Sequence, residues 1–225
     1  MNAPRPFCFR LAPATLAPVA IAVPRLGDAQ AEALAVLVPL LGCGEEAAAL
    51  AFDGLADAAD DDLAAPALAL IADEERVHEQ LLSALAAALP PTDRQPQLMR
   101  AARRFHIDLG RGSGAEHLAR IAGIDAAVCT ILSRMLRPDA AIGADPVTRA
   151  LFGRIHRDEA RHVRVSRTLA RSLGSARANA DVAAGAREAL AGVLGLAGAA
   201  FDTLGVDPDA LLRDIGRLPD GLFAA

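Results

Sequence analysis

Two short stretches of this chain place a glutamate three residues ahead of a histidine. EERVH carries Glu75 and His78, and RDEARH carries Glu159 and His162. Residues three apart on a helix share a face, so each pair can present an oxygen and a nitrogen to one point. Random placement of nine glutamates and five histidines over 225 residues would give roughly 0.2 such pairs. A carboxylate and an imidazole aimed together make half of a metal site, and two such halves suit a dinuclear centre.

A dinuclear centre also needs carboxylates from two other helices, at the same height. The first helix pair turns near Asp60, with Glu45 fifteen residues before it and Glu75 fifteen after. At a rise of ~1.5 Å per residue the two stand level. The second pair turns near residue 142, with Asp125 and Glu159 each 17 residues away on either side. Asp125 lies on the apolar stripe of Leu118, Ile121, Val128 and Leu132, and Glu45 lies between Leu41 and Phe52. A carboxylate on such a stripe is costly unless it is paired or binds metal. Glu46 shares its face with Gly42, Leu50 and Asp53, so Glu45 is the better ligand. Glu116 stands near a helix N-terminus, where the dipole alone favours an acid.

The arrangement resembles the ferritin-like di-metal carboxylate superfamily, and IHRDEARH resembles the fourth-helix motif of its oxygen-activating branch. The resemblance covers about residues 28–174. It implies an all-α fold, a ferritin-like four-helix bundle, here with two extra C-terminal helices. It also implies metal ligands at Glu45, Glu75, His78, Asp125, Glu159 and His162, with Asp125 standing where the family usually has Glu. His156, one turn before Glu159, is a candidate second-shell group or extra ligand. His106 and His117 read as cap or surface residues. The implied cofactor is a pair of iron ions, with manganese or a mixed manganese–iron pair as the variants that the same hard oxygen and imidazole donors would accept.

The elements that must hold these groups read as helices. The apolar content is mostly Ala and Leu, and only 3% of residues are aromatic. Residues 1–27 form a Pro-punctuated arm. A first helix runs from an N-cap at Asp28 to about residue 58, bent or split at Pro39. A second has Pro66 in its first turn and stops before Pro90-Pro91. Residues 90–114 are a crossover with one helical turn near 99–105. A third helix spans about 115–137, and a fourth follows Asp145-Pro146 to about 174. Residues 175–225 hold helices at about 180–204 and 208–216, packed on the bundle, and the glycines of GVLGLAG read as close helix packing.

Composition narrows the activity. A net charge of −5 without basic runs argues against a nucleic-acid partner. The N-terminus does not read as a signal peptide, and the run 189–201 is too short to span a bilayer, so the expectation is a soluble cytoplasmic protein with no membrane partner. Cys8, Cys43 and Cys129 suit a reducing compartment better than a disulfide framework. Without Tyr or Trp the chain cannot act as a tyrosyl-radical subunit in the usual form, and three scattered cysteines cannot build a four-cysteine iron domain. What remains is an O2-activating oxidase or oxygenase that hydroxylates, desaturates or N-oxygenates a small, mostly apolar organic molecule. The alternative is a non-enzymatic or ferroxidase iron-binding protein. An electron donor is expected, and the chain could pair as a homodimer. Ala48, Ala72 and Ala122, each one turn from a ligand, could leave room for substrate. Leu41, Phe52, Ile71, Leu82, Ile121, Val128 and Phe152 would give the pocket its low polarity.

Overall fold

The structure, a computed structural model, describes residues 6–12, 15, 21–59, 61–92 and 95–223; Asp60, the expected centre of the first turn, lies outside them. Among the described residues there are nine helices and no strand. α1 (Asp28–Asp57) runs without interruption through Pro39, so the expected split does not occur. Burial explains this. Leu34, Leu37, Val38 and Leu40 are all in the core, and that packing outweighs the one backbone hydrogen bond a proline removes. Its N-cap is Gly27, not Asp28; the Gln30 side chain accepts from the Gly27 N–H at 3.2 Å, and Asp28 sits in the first turn.

α2 (Ala64–Ala88) returns antiparallel along α1, with Pro66 in its first turn. The crossover is more ordered than one turn, since α3 (Pro96–Leu109) fills most of it and buries Leu98, Ala102 and Phe105. These apolar positions, spaced four and three apart, form a stripe, which the flanking prolines and glycines obscured in the sequence. α4 (Gly114–Met135) opens on a capping box between Ser113 and Glu116. After the short α5 (Ala141–Ala144), Asp145 caps α6 (Pro146–Leu173) by accepting from the N–H groups of Val147 and Thr148. The C-terminal segment forms three helices, not two: α7 (Ala176–Gly195), α8 (Gly198–Thr203) and α9 (Pro208–Gly216). Of the GVLGLAG glycines, Gly195 and Gly198 lie against α9, where a Cβ would meet Leu212 at 3.8 Å and Pro208 at 3.6 Å. A Cβ on Gly192 would meet nothing, and Gly195 and Gly198 mark the break between α7 and α8.

The frame is two antiparallel pairs, α1 with α2 and α4 with α6, which meet through α2 against α6. α1 and α4 make no extended backbone contact, and α3 and α7 pack across the space between them. α4 and α7 approach closely at Gly123, where a Cβ would stand 2.9 Å from that of Ala183. Beside it the buried Arg187 donates to the carbonyls of Gly123 and Asp214, both at 3.0 Å, joining α7 to α4 and α9.

Residues 7–9 of the N-terminal segment lie on α1. The N–H groups of Phe7, Cys8 and Phe9 donate to the Glu46 carboxylate at 2.7, 2.6 and 2.6 Å, and Cys8 is disulfide-bonded to Cys43. Only Cys129 is free. This overturns the expectation of unpaired cysteines, and with it the cysteine argument for a reducing compartment. α1 is also long and apolar enough to cross a membrane by length and composition, although 61% of that window is buried in the fold.

Arg187 gives the fold its test. Among the described residues its guanidinium has no carboxylate partner, and its Nε has no hydrogen-bond partner. Truncation to Ala should destabilise the protein by about 3 kcal/mol, whereas Arg187→Met, which keeps the volume and removes a buried charge, should lose less than half of that. Urea unfolding of both variants measures the difference.

Candidate metal centre

Glu45 on α1, Glu75 and His78 on α2, and Glu159 on α6 each offer a ligand atom, and these four atoms lie within 4.8 Å of one another. All four residues are buried, and the group could hold a metal ion. Asp125 and His162 fall outside that tight group but border it, both buried. His162 Nδ1 stands 2.9 Å from Glu75 Oε1 and 3.8 Å from Glu159 Oε1. His78 Nδ1 stands 3.2 Å from Glu45, 3.4 Å from Glu75 and 3.7 Å from Glu159. The two imidazoles are 5.9 Å apart between ring centres, on either side of the Glu75 carboxylate. The six positions expected from spacing and from the resemblance are thus brought to one place.

Both histidines turn Nδ1 toward the carboxylates and Nε2 away. His78 Nε2 meets Asp158 at 3.2 Å, and His162 Nε2 meets Glu74 at 3.0 Å. Arg161 joins these outer acids, 2.6 Å from Glu74 and 3.2 Å from Asp158. Each outer acid immediately precedes a candidate ligand, Glu74 before Glu75 and Asp158 before Glu159, and each serves the histidine of the opposite helix. Such partners fix ring orientation and raise ligand basicity. The sequence carried the signal, since an acid stands ahead of both Glu-x-x-His pairs, but adjacent residues on a helix point apart, and the crossed pairing needs the tertiary structure.

His156 has neither expected role. Its Nε2 lies 3.0 Å from the Ser133 hydroxyl, on the outer side of α6. Glu46 is as buried as Glu45 but faces the arm, as its three backbone partners require.

A cavity of about 100 Å3 adjoins the cluster, lined by Glu45, Glu75, Asp125 and Glu159 and by apolar side chains of α1, α3, α4 and α7. Of the expected lining, Leu41, Ala48, Ile121 and Val128 face it. Phe52, Ile71, Ala72, Leu82, Ala122 and Phe152 are instead closed core. His106 and His117, expected at caps or the surface, also line the cavity. The placement of His106 depends on α3, a full helix where a single turn was expected.

The metal-free site is electrostatically unusual. Burial, with the Glu75 charge next, pushes Glu45 up to about 8, and the same two effects hold Asp125 and Glu159 well above the carboxylate range. Burial opposes charge on Glu75 too, but the His162 cation and the close approach of both imidazoles outweigh it and favour the ionised form. Burial likewise disfavours the imidazolium of His162, yet Glu75 and Glu74 raise it to about 11. His78 is raised in the same way, chiefly by Asp158 and Glu45. Three buried atoms remain without a hydrogen-bond partner: Glu75 Oε2, Asp125 Oδ2 and His162 Nδ1, the last misaligned toward Glu75 despite its short distance.

No protein-family model matches the chain, and no curated protein matches it.

Two outcomes follow from these charges. For His162 the folded value of about 11 exceeds its ordinary 6.5, so its stabilisation is complete below pH 6.5 and is lost as pH rises toward 11. Glu45, at about 8 against 4.5, contributes fully below pH 4.5 and loses its contribution on the way to pH 8. The melting temperature of chelator-treated protein should therefore fall steadily from about pH 5 to about pH 9. Excess divalent metal should flatten that slope, because binding displaces the same protons. Separately, Asp158→Asn and Glu74→Gln should each weaken metal binding by about 10–100-fold, measured by competition with a chromophoric chelator.

Proposed function

We propose that this chain is a dinuclear-iron, O2-dependent oxidoreductase acting on a small, mostly apolar organic molecule by hydroxylation, desaturation or N-oxygenation. The observation that carries the reading is the convergence of three buried, unpartnered ligand atoms beside an apolar cavity. Polar atoms left bare in a protein interior are costly, and a cation among them would remove that cost. The ferritin-like arrangement belongs to the same proposal, and it is supported by two antiparallel helix pairs with a helical crossover between them.

In this reading Glu45 and Asp125 give one carboxylate each, while Glu75 with His78 and Glu159 with His162 complete the set. Carboxylates and imidazoles without a thiolate suit iron, and manganese or a mixed pair fits the same donors. Two ferrous ions held there would supply the electrons that reduce dioxygen, chemistry that no side chain can provide. The chain's own part is positional. Asp158 and Glu74 hold the imidazoles with Nδ1 inward, while Leu41, Ile121 and Val128 keep water from the carboxylates. An external electron donor would restore the ferrous state, and the reading calls for neither nucleic acid nor membrane. The cavity favours an enzyme over a ferroxidase, since iron oxidation alone has no use for an apolar chamber.

Anaerobic reconstitution with ferrous iron should load close to two metals per chain, and replacing both His78 and His162 with Ala should abolish loading. Oxygen uptake by the loaded protein should then accelerate when a suitable apolar compound is added. Metal content below about half an equivalent overturns the metal reading. Uptake indifferent to every compound tested, with ferric iron released to solution, selects the ferroxidase instead.

A further inference from the structure

Apart from the carboxylates, the polar side chains that line the cavity are His106 and His117. α2 and α6 contribute only Glu75 and Glu159 to its lining, whereas α3, which packs on α1, contributes His106. The His106 ring lies against α1 at Gly44, where a Cβ would stand 3.8 Å from Nε2, one residue before Glu45. Its neighbour Phe105 holds it edge-on, with ring centres 5.0 Å apart. Among the described residues it has no hydrogen-bond or ion-pair partner, and burial alone moves its pKa down to about 4. His106 is therefore a neutral imidazole at neutral pH, able to accept from one group and donate to another. His117, the second cavity imidazole, stands eight residues before Asp125 on α4, ~12 Å along the helix axis.

We propose that His106 is the specificity anchor of the cavity, and that the cavity takes an uncharged apolar molecule carrying one hydroxyl, which hydrogen-bonds to the His106 imidazole while its hydrocarbon body fills the space beside the carboxylates. An anion is disfavoured because all four cluster acids, the ionised Glu75 among them, line the space and no arginine side chain does. A cation is disfavoured by the apolar walls from Leu40 to Val193. A plain hydrocarbon filling the cavity would take water from the half-buried imidazole and leave it unpaired, which disfavours the analogue that carries no partner group. The inference deepens the proposed function by naming a substrate class, and it rests on the cavity being the substrate chamber.

The test uses full-length, chelator-treated protein, so that its failure is separable from failure of the metal reading. Cyclohexanol and chlorocyclohexane present rings of the same size, and only the first carries a hydroxyl. Calorimetric titration of wild type should favour cyclohexanol by about tenfold, the value of one net hydrogen bond. Carbon-13 detection of the five histidines should shift the His106 ring signals and leave those of His156 unchanged. His106→Leu should remove the preference while still binding chlorocyclohexane, and His106→Gln should restore part of it. A His106→Leu protein with an altered melting curve is set aside in favour of His106→Gln and the wild-type ring shifts, which carry the test alone. Equal binding of the two compounds by wild type, absence of binding, or a preference that survives in His106→Leu overturns the proposal.

Discussion

Four carboxyl groups and two imidazoles cannot occupy an apolar interior as independent charges, and much of this structure follows from that constraint. The metal-free cluster meets it by sharing protons. Glu75 keeps its charge between two imidazolium rings, and Glu45, Asp125 and Glu159 stay neutral. The imidazolium rings then need acceptors on their outer nitrogens, which Asp158 and Glu74 supply, and those acids in turn share Arg161. Charge is thereby carried outward in steps from a dry centre to a wetter edge, each step an ion pair or a hydrogen bond.

The cavity has an equally simple origin. Two helix pairs that meet through α2 and α6 leave α1 and α4 apart, and the gap would be filled by water if nothing covered it. α3 and α7 supply the cover. The close approach of α4 and α7 at Gly123, fastened by Arg187, holds that wall at a fixed spacing from the carboxylates. The C-terminal segment is therefore part of the chamber, and the arm bound through Glu46 stiffens the opposite wall at α1.

Much of this was legible in the sequence, for reasons that can be named. Helix-opening pairs such as Asp145-Pro146 and Asp207-Pro208 mark boundaries by local chemistry, and α1, α2, α4 and α6 begin and end within a few residues of where the sequence places them. Glu45 and Asp125 could be found because height along an antiparallel pair is arithmetic. α3 was underestimated because its apolar stripe is short and sits among prolines and glycines. Pro39 misled because the local rule was overridden by core packing. The Cys8–Cys43 bond and the roles of Glu46 and His106 depend on contacts distant in sequence, which no spacing encodes.

The crossed pairing of outer acids and histidines has a consequence of its own. Asp158 on α6 orients His78 on α2, and Glu74 on α2 orients His162 on α6. Neither half of the molecule carries a finished donor set; each is completed by a residue borrowed from the other. In the proposed centre, ion affinity would thus be conditional on the docking of one half against the other, and a bound ion would resist their separation. Breathing between the halves would loosen both histidines together, so the centre would empty and fill as a single unit and not one position at a time.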